Sequence, residues 1–153
     1  MGERRISMEK RVYAYDAAGE YQGYVRLDTD EVGNIVGEVY DTQADKLGAV
    51  RYEPLNYEAQ ESLVFDPDGD RIGFVQLEQY ENEQLGGEIY WVGELETKPQ
   101  VIAHVHLDEN DTQRAKVHKK AEWGELIGSL KPENVTDEEL VLVGGGSALL
   151  ILL

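Results

Sequence analysis

All three histidines of the chain fall between positions 104 and 118, and they are the residues best suited to chemistry. His104 and His106 stand two apart, so on a β-strand both point to one face. A turn centred near Asp111 would set His118 opposite His104. Asp108 shares their parity. Three imidazoles and a carboxylate on one face are a plausible set of ligands for a divalent ion, with imidazole suiting zinc, nickel or copper. The competing reading is that they form part of a solvated outer face, because His106 occupies the repeat position held elsewhere by Arg26, Arg51 and Gln76. His-x-His without a second motif is weak, so the solvated face is the expected reading. A metal site at His104, His106, His118 and Asp108 is the alternative.

Other chemistry is sparse. Asp66-Pro67-Asp68-Gly69-Asp70 begins like a calcium loop, but an EF-hand needs glycine sixth and a bidentate glutamate twelfth, whereas here Gly69 is fourth and Leu77 twelfth, so a tight turn fits better. The Gly19/Gly23, Gly69/Gly73 and Gly124/Gly128 pairs have the spacing of a membrane-helix dimer motif, yet they sit among charged residues. Gly144-Gly145-Gly146-Ser147 lacks the lysine of a phosphate loop. With no cysteine, thiolate nucleophiles, disulfides and Cys-ligated zinc are excluded. Ser7, Ser62, Ser129 and Ser147 lie in no nucleophile-elbow context. The expectation is therefore a non-catalytic protein, with no catalytic residue and no cofactor.

What positions these residues is an internal repeat. Gly19–Val25, Ala44–Val50, Gly69–Val75, Pro99–Val105 and Gly124–Leu130 align without gaps, at a spacing within the range that marks repeat architectures. Tyr15-Asp16, Tyr40-Asp41 and Phe65-Asp66 precede three of them. Asp opening a type I turn, with Gly three residues later at positive φ, closes a β-hairpin through a G1 bulge. The strand after the turn carries Gly, Val and Leu at period two, which predicts an inward face. Gly23, Gly48, Gly73, Ala103 and Gly128 form one column, a place where backbones crowd. The opposite face carries Gln22, Leu47, Ile72, Ile102 and Ile127 near the turn. Tyr13, Tyr15, Tyr24, Tyr40 and Phe74 read as aromatic packing between hairpins.

A lone hairpin is marginal in water, so the units must bury their faces together. The sequence thus predicts an all-β domain of five to six radially arranged hairpins. Asp28 to Gly33 and Glu53 to Glu61, with Pro54, read as surface crossings between them. Residues 1–11 are expected as a flexible arm and 12–153 as the single repeat domain. The apolar end, Leu140 to Leu153, is expected as a buried closing strand, hairpin or plug. Thr136 with Glu139 allows a short helix instead, ending at the glycines. The run is broken by Gly-Gly-Gly-Ser and falls short of the roughly 20 residues a membrane span needs.

Composition narrows the partners. Fourteen Lys and Arg stand against 31 Asp and Glu, a net charge of −17, which repels nucleic-acid phosphates and anionic membrane surfaces. No nucleic acid and no membrane partner is expected. A homo-oligomer or a protein partner is compatible with the sequence. Arg4-Arg5 has no apolar stretch behind it, so the expected location is cytoplasmic.

Repeats reading Tyr-Asp-x-x-Gly-x-x-x-Gly-x-Val, followed by a Gly-Gly-(small)-Ala-Leu-Leu tail, resemble the small bacterial beta-flower proteins, whose β-hairpin petals surround a pseudo-symmetry axis. The resemblance spans most of Val12 to Leu153 and implies a fold, with no activity attached. The fourth repeat departs from it, with Leu95-Glu96 for the aromatic-Asp pair and Pro99 and Ala103 for the glycines, and the fifth carries Lys120-Ala121. These departures leave the petal count open between five and six.

Overall fold

Turn chemistry sets the outline of the fold. In the computed structural model, which describes residues 9–53, 60–79, 85–92, 98–107, 114–119 and 124–153, four turns share one construction. Asp16, Asp30, Asp41 and Asp66 each accept a main-chain hydrogen bond at their carbonyl from the residue three positions on, and donate their own N–H to the carbonyl four positions on. Each Asp carboxylate also holds two further N–H groups, as Asp16 does for Ala18 and Glu20. The fourth residue is left-handed: Gly19 at φ 84°, Gly33 at 91°, Ala44 at 62° and Gly69 at 89°. Asp66 to Asp70 is therefore a turn in which the carboxylate is engaged by its own backbone. The Asp30 to Gly33 turn carries the chain across the surface to the next hairpin, as expected, although Asp28 and Thr29 still belong to the preceding strand, while Pro54 lies outside the described residues.

Ten strands result: β1 (Lys10–Asp16), β2 (Tyr21–Thr29), β3 (Ile35–Asp41), β4 (Lys46–Tyr52), β5 (Glu61–Phe65), β6 (Arg71–Gln79), β7 (Leu85–Trp91), β8 (Gln100–Leu107), β9 (Ala115–Lys119) and β10 (Leu126–Glu133). Each pairs antiparallel with its neighbours in sequence, and β10 returns to β1, closing a barrel. The hairpins thus share edges in one continuous wall, with β2 and β3 paired from Gly23↔Asp41 to Thr29↔Ile35. β1 takes in Lys10 and Arg11, which the sequence places in the arm; residues 1–8 lie outside the described residues.

Register shifts at Ala14/Tyr15, Val39/Tyr40, Val64/Phe65, Ile89/Tyr90 and Leu126/Gly128 each insert one residue into the strand after the turn. The inserted residues are Gln22, Leu47, Ile72, Ile102 and Ile127. A bulge re-aims its side chains. Leu47, Ile72, Ile102 and Ile127 consequently pack against the core, not on the opposite face that strict alternation predicts. Gln22 is the polar member and donates to Asp16 instead.

A ten-stranded wall encloses a bore wider than its own side chains can fill, since about eight strands is the size at which they just suffice. The tail fills it. Asp137–Glu139 (α1), a π-helical stretch Leu140–Gly144 and Gly145–Ile151 (α2) run on as one helix. It packs against β1 to β8 and β10. Leu140, Val141, Leu142, Val143 and Ala148 are essentially fully buried and Leu149 is buried. The buried plug expected from the sequence is therefore present, but it is helical: the closing strand or hairpin is not formed, because the wall already closes on itself through β10 and β1. Three consecutive glycines suit this helix because a Cβ on Gly146 would press on both methyls of Val50, and one on Gly145 would reach Val105 Cγ1. Ser62 Oγ, on the inward face of β5, donates to Leu142 O at 2.7 Å and satisfies a carbonyl within the π-helical stretch.

The helix entrance is tied to the wall by polar contacts. Thr136 and Glu139 form a reciprocal capping box, Lys10 Nζ lies 3.3 Å from the buried Glu139 carboxylate, and Tyr52 OH donates to Glu138 at 3.1 Å. Burial first, then the hydrogen bond to Glu138, pushes the Tyr52 hydroxyl up to about 12. A raised pKa means that the folded state keeps a proton the unfolded chain loses. The contribution, on the order of 2 kcal/mol, is full below the ordinary value near 10 and is lost as pH rises through 12. Tyr52→Phe should melt lower than the native protein at pH 8, and the gap should narrow as pH rises from about 10 towards 12; a gap independent of pH would refute the coupling.

The turn tips offer a cleaner test of backbone conformation. Nothing lies within 4 Å of a Cβ built on Gly69, so Gly69→Ala carries only the left-handed penalty, about 1 kcal/mol, while Ala44→Gly should gain a fraction of that. Opposite-signed shifts in denaturant midpoint are the expected pair of results.

Candidate functional site

The histidine pairing holds as far as it is described. His104 stands opposite His118 across β8 and β9, and His104 also faces Glu88 on β7. His106, on the same outer face, is only 4% exposed and lies over Gly86. Its ring stacks on that of His118, with centroids 4.9 Å apart and planes 9° from parallel. His106 Nδ1 contacts Leu107 O at 3.2 Å and His118 Nδ1 contacts Gly124 O at 2.9 Å. A carbonyl can only accept, so each Nδ1 carries the hydrogen. Parallel rings present their faces to each other rather than aiming lone pairs at a common point. Among the described residues no group of three His, Cys, Asp or Glu is placed to hold an ion. Asp108 and Asp111 lie outside the described residues. The stack corrects the expectation of a solvated face at His106, which is buried.

The outer face of β1 to β3 carries the tyrosines as a ladder of ring contacts: Tyr15 with Tyr21, Tyr21 with Tyr13, Tyr13 with Tyr24, and Tyr24 stacked on Tyr40 at 5.2 Å. Their hydroxyls are held by carboxylates, Tyr13 by Glu133 and Tyr40 by Glu38. The hydrogen bond from Tyr40 holds the Glu38 carboxyl below its usual range and correspondingly raises the Tyr40 hydroxyl. Cross-strand aromatic pairs of this kind stabilise a sheet by roughly 0.2 to 1 kcal/mol each. Of these, the Tyr24–Tyr40 stack joins two hairpins, as the sequence indicates, while the other three contacts lie within the β1–β2 hairpin.

The concave feature lies elsewhere, at the end of the barrel bearing the β1–β2 turn. A cavity of about 690 Å³ opens there. Among the described residues it is lined by Ile102 and Ile127, both bulge residues, by Leu126, Leu152 and Leu153, by Ala17 and Ala18, and by the polar Asp16, Lys119 and Glu125. Leu126 and Leu153 are 38% and 43% exposed, large apolar side chains that nothing among the described residues covers. The cavity lies beside the one bulge whose inserted residue is polar, Gln22, and two small alanines stand at the adjoining turn. Sequence reasoning missed this site because period-two alternation sends Ile102 and Ile127 outward. The available signal was the aliphatic character of Leu47, Ile72, Ile102 and Ile127 at positions where a solvated face would be polar.

The described helices include none long and apolar enough to cross a membrane. No family model, curated protein or solved structure matches this chain.

Proposed function

We propose that this protein is a non-catalytic binding module that takes an apolar group of its ligand at the turn end of the barrel. The observation that carries this reading is the filled bore. Wide barrels commonly hold small ligands in the lumen, but here Leu140 to Leu149 occupy it, and an open aliphatic cavity of a size typical for ligands lies at the end. A neutral, polarity-sensitive dye such as Nile red should bind saturably. Ala18→Trp, on an exposed turn, should fill the cavity and abolish binding while leaving the circular dichroism unchanged. Undiminished binding by a folded Ala18→Trp protein would overturn the reading.

The recurrence of bulges after the turns, with aliphatic or amide residues at equivalent places, supports reading the barrel as five hairpin repeats with approximate five-fold symmetry and grouping the chain with the beta-flower proteins. A zinc or nickel site at the histidines is the less favoured function, since the stacked rings of His106 and His118 do not converge. Metal titration should accordingly leave the melting temperature unchanged, and a concentration-dependent rise lost in His104→Ala/His118→Ala would reverse that ranking.

A further inference from the structure

We infer that the end cavity selects an aliphatic chain bearing a cationic head, an alkylammonium amphiphile, an inference that rests on the binding reading above. Two features of the site point there. Its apolar lining among the described residues is supplied by alanine, leucine and isoleucine, which offer a flexible hydrocarbon chain contact area. The 690 Å³ volume falls within the range of small-ligand sites.

The head is set by charge. Among the described residues two carboxylates, Asp16 and Glu125, line the cavity with one ammonium, Lys119. The Asp16 oxygens are already engaged by Ala18 N, Glu20 N and Gln22 Nε2. Its charge persists although its hydrogen-bonding capacity is largely used, so it attracts a cation that needs no directed bond, such as a quaternary ammonium. Glu125 is exposed at the same cavity. The whole chain, at −17, adds a field of the same sign that draws cations and repels carboxylate amphiphiles.

The test uses the full chain and three decyl probes below their micelle concentrations: decyltrimethylammonium, decanoate and decyl maltoside. Methyl chemical shifts of Ile102, Leu126 and Ile127 are followed by NMR. Decyltrimethylammonium should bind at least about tenfold more tightly than decanoate at 20 mM salt, the gap should shrink at 300 mM, and Glu125→Gln should narrow it without altering the affinity for decyl maltoside. Equal or tighter decanoate binding, or a gap indifferent to salt and to Glu125→Gln, overturns the choice of head and leaves the binding module standing. If no probe moves those methyls and Nile red is not displaced, the aliphatic-chain inference fails. If Nile red also ignores Ala18→Trp, the binding reading falls with it.

Discussion

Gly73→Ala should lose at least about 3 kcal/mol, far more than Gly69→Ala four residues earlier in the same hairpin. A Cβ on Gly73 would sit inside 3.0 Å of two atoms, Tyr90 O and Leu149 Cδ2. The Leu149 methyl belongs to a buried side chain of the plug, and the Tyr90 carbonyl belongs to the ladder between β6 and β7. Neither can withdraw cheaply. Overpacking of a well-filled core costs about 1 to 3 kcal/mol when only side chains must give, and more when backbone must move. For a chain of this size the expected fall in melting temperature is roughly 6 to 12 °C. A loss no larger than that of Gly69→Ala, measured by denaturant midpoint at equal slope, would show that the wall and plug are looser than the packing described here. Gly23, Gly48 and Gly128 meet the same kind of carbonyl and the neighbouring tail residues Ile151, Leu150 and Leu152, so their alanine variants should behave alike.

A chain ended after Glu139 should not fold. Leu140, Val141, Leu142, Val143 and Leu149 each bury a large apolar side chain inside the bore, at about 1.5 to 3 kcal/mol apiece. Even the lower figure brings their combined contribution to the range of the whole stability expected of such a domain, about 5 to 15 kcal/mol. The loss is compounded because the inward residues of the wall, Val12, Val25, Val50, Val64, Val75 and Val105 among them, would then line a void or a water-filled channel. Leu142→Asp is the milder companion, since it keeps the chain length and buries one unpaired carboxylate instead. Both should elute as aggregates or show unfolded circular dichroism. A monomeric, cooperatively melting truncated protein would mean that the barrel stands without its plug.

Much of the wall was legible because its determinants are local. Asp-x-x-Gly at residues 16 and 66 encodes a left-handed fourth position that few other residues adopt cheaply, and the Gly-Val-Leu alternation after it marks an inward face. Pairing arithmetic across β8 and β9 set His104 opposite His118 correctly. Asp30 to Gly33, legible as a surface crossing between hairpins, carries the same tight-turn signature, which is less evident there because it lies between repeats rather than at their start. The inward turn of Ile102 and Ile127 was hidden, since a bulge breaks the very period from which orientation is inferred. The helix was hidden for a different reason. Three glycines cost a helix about 1 kcal/mol each by intrinsic propensity, and only a bore lined by valines makes the absence of side chains an advantage. Thr136 and Glu139, the capping box, were the sole local sign of where it begins. The end cavity was illegible altogether, because it depends on both of these.

The seam between β1 and β10 pairs Arg11 with Glu133 and Asp16 with Gly128, residues from opposite ends of the described chain. Contacts so remote in sequence form late, since the intervening chain must be ordered before they repay its entropy. The plug follows the last strand, so the wall has nothing to close around until that segment arrives. Closure of this barrel is therefore expected late in folding. Until it is complete, β1 and β10 present unpaired edges of the kind that join neighbouring chains, and afterwards the closed barrel presents none. The hazard for this protein thus lies in the interval before closure, and conditions that prolong that interval, rather than those that strain the finished barrel, should govern how much of it is lost to aggregation.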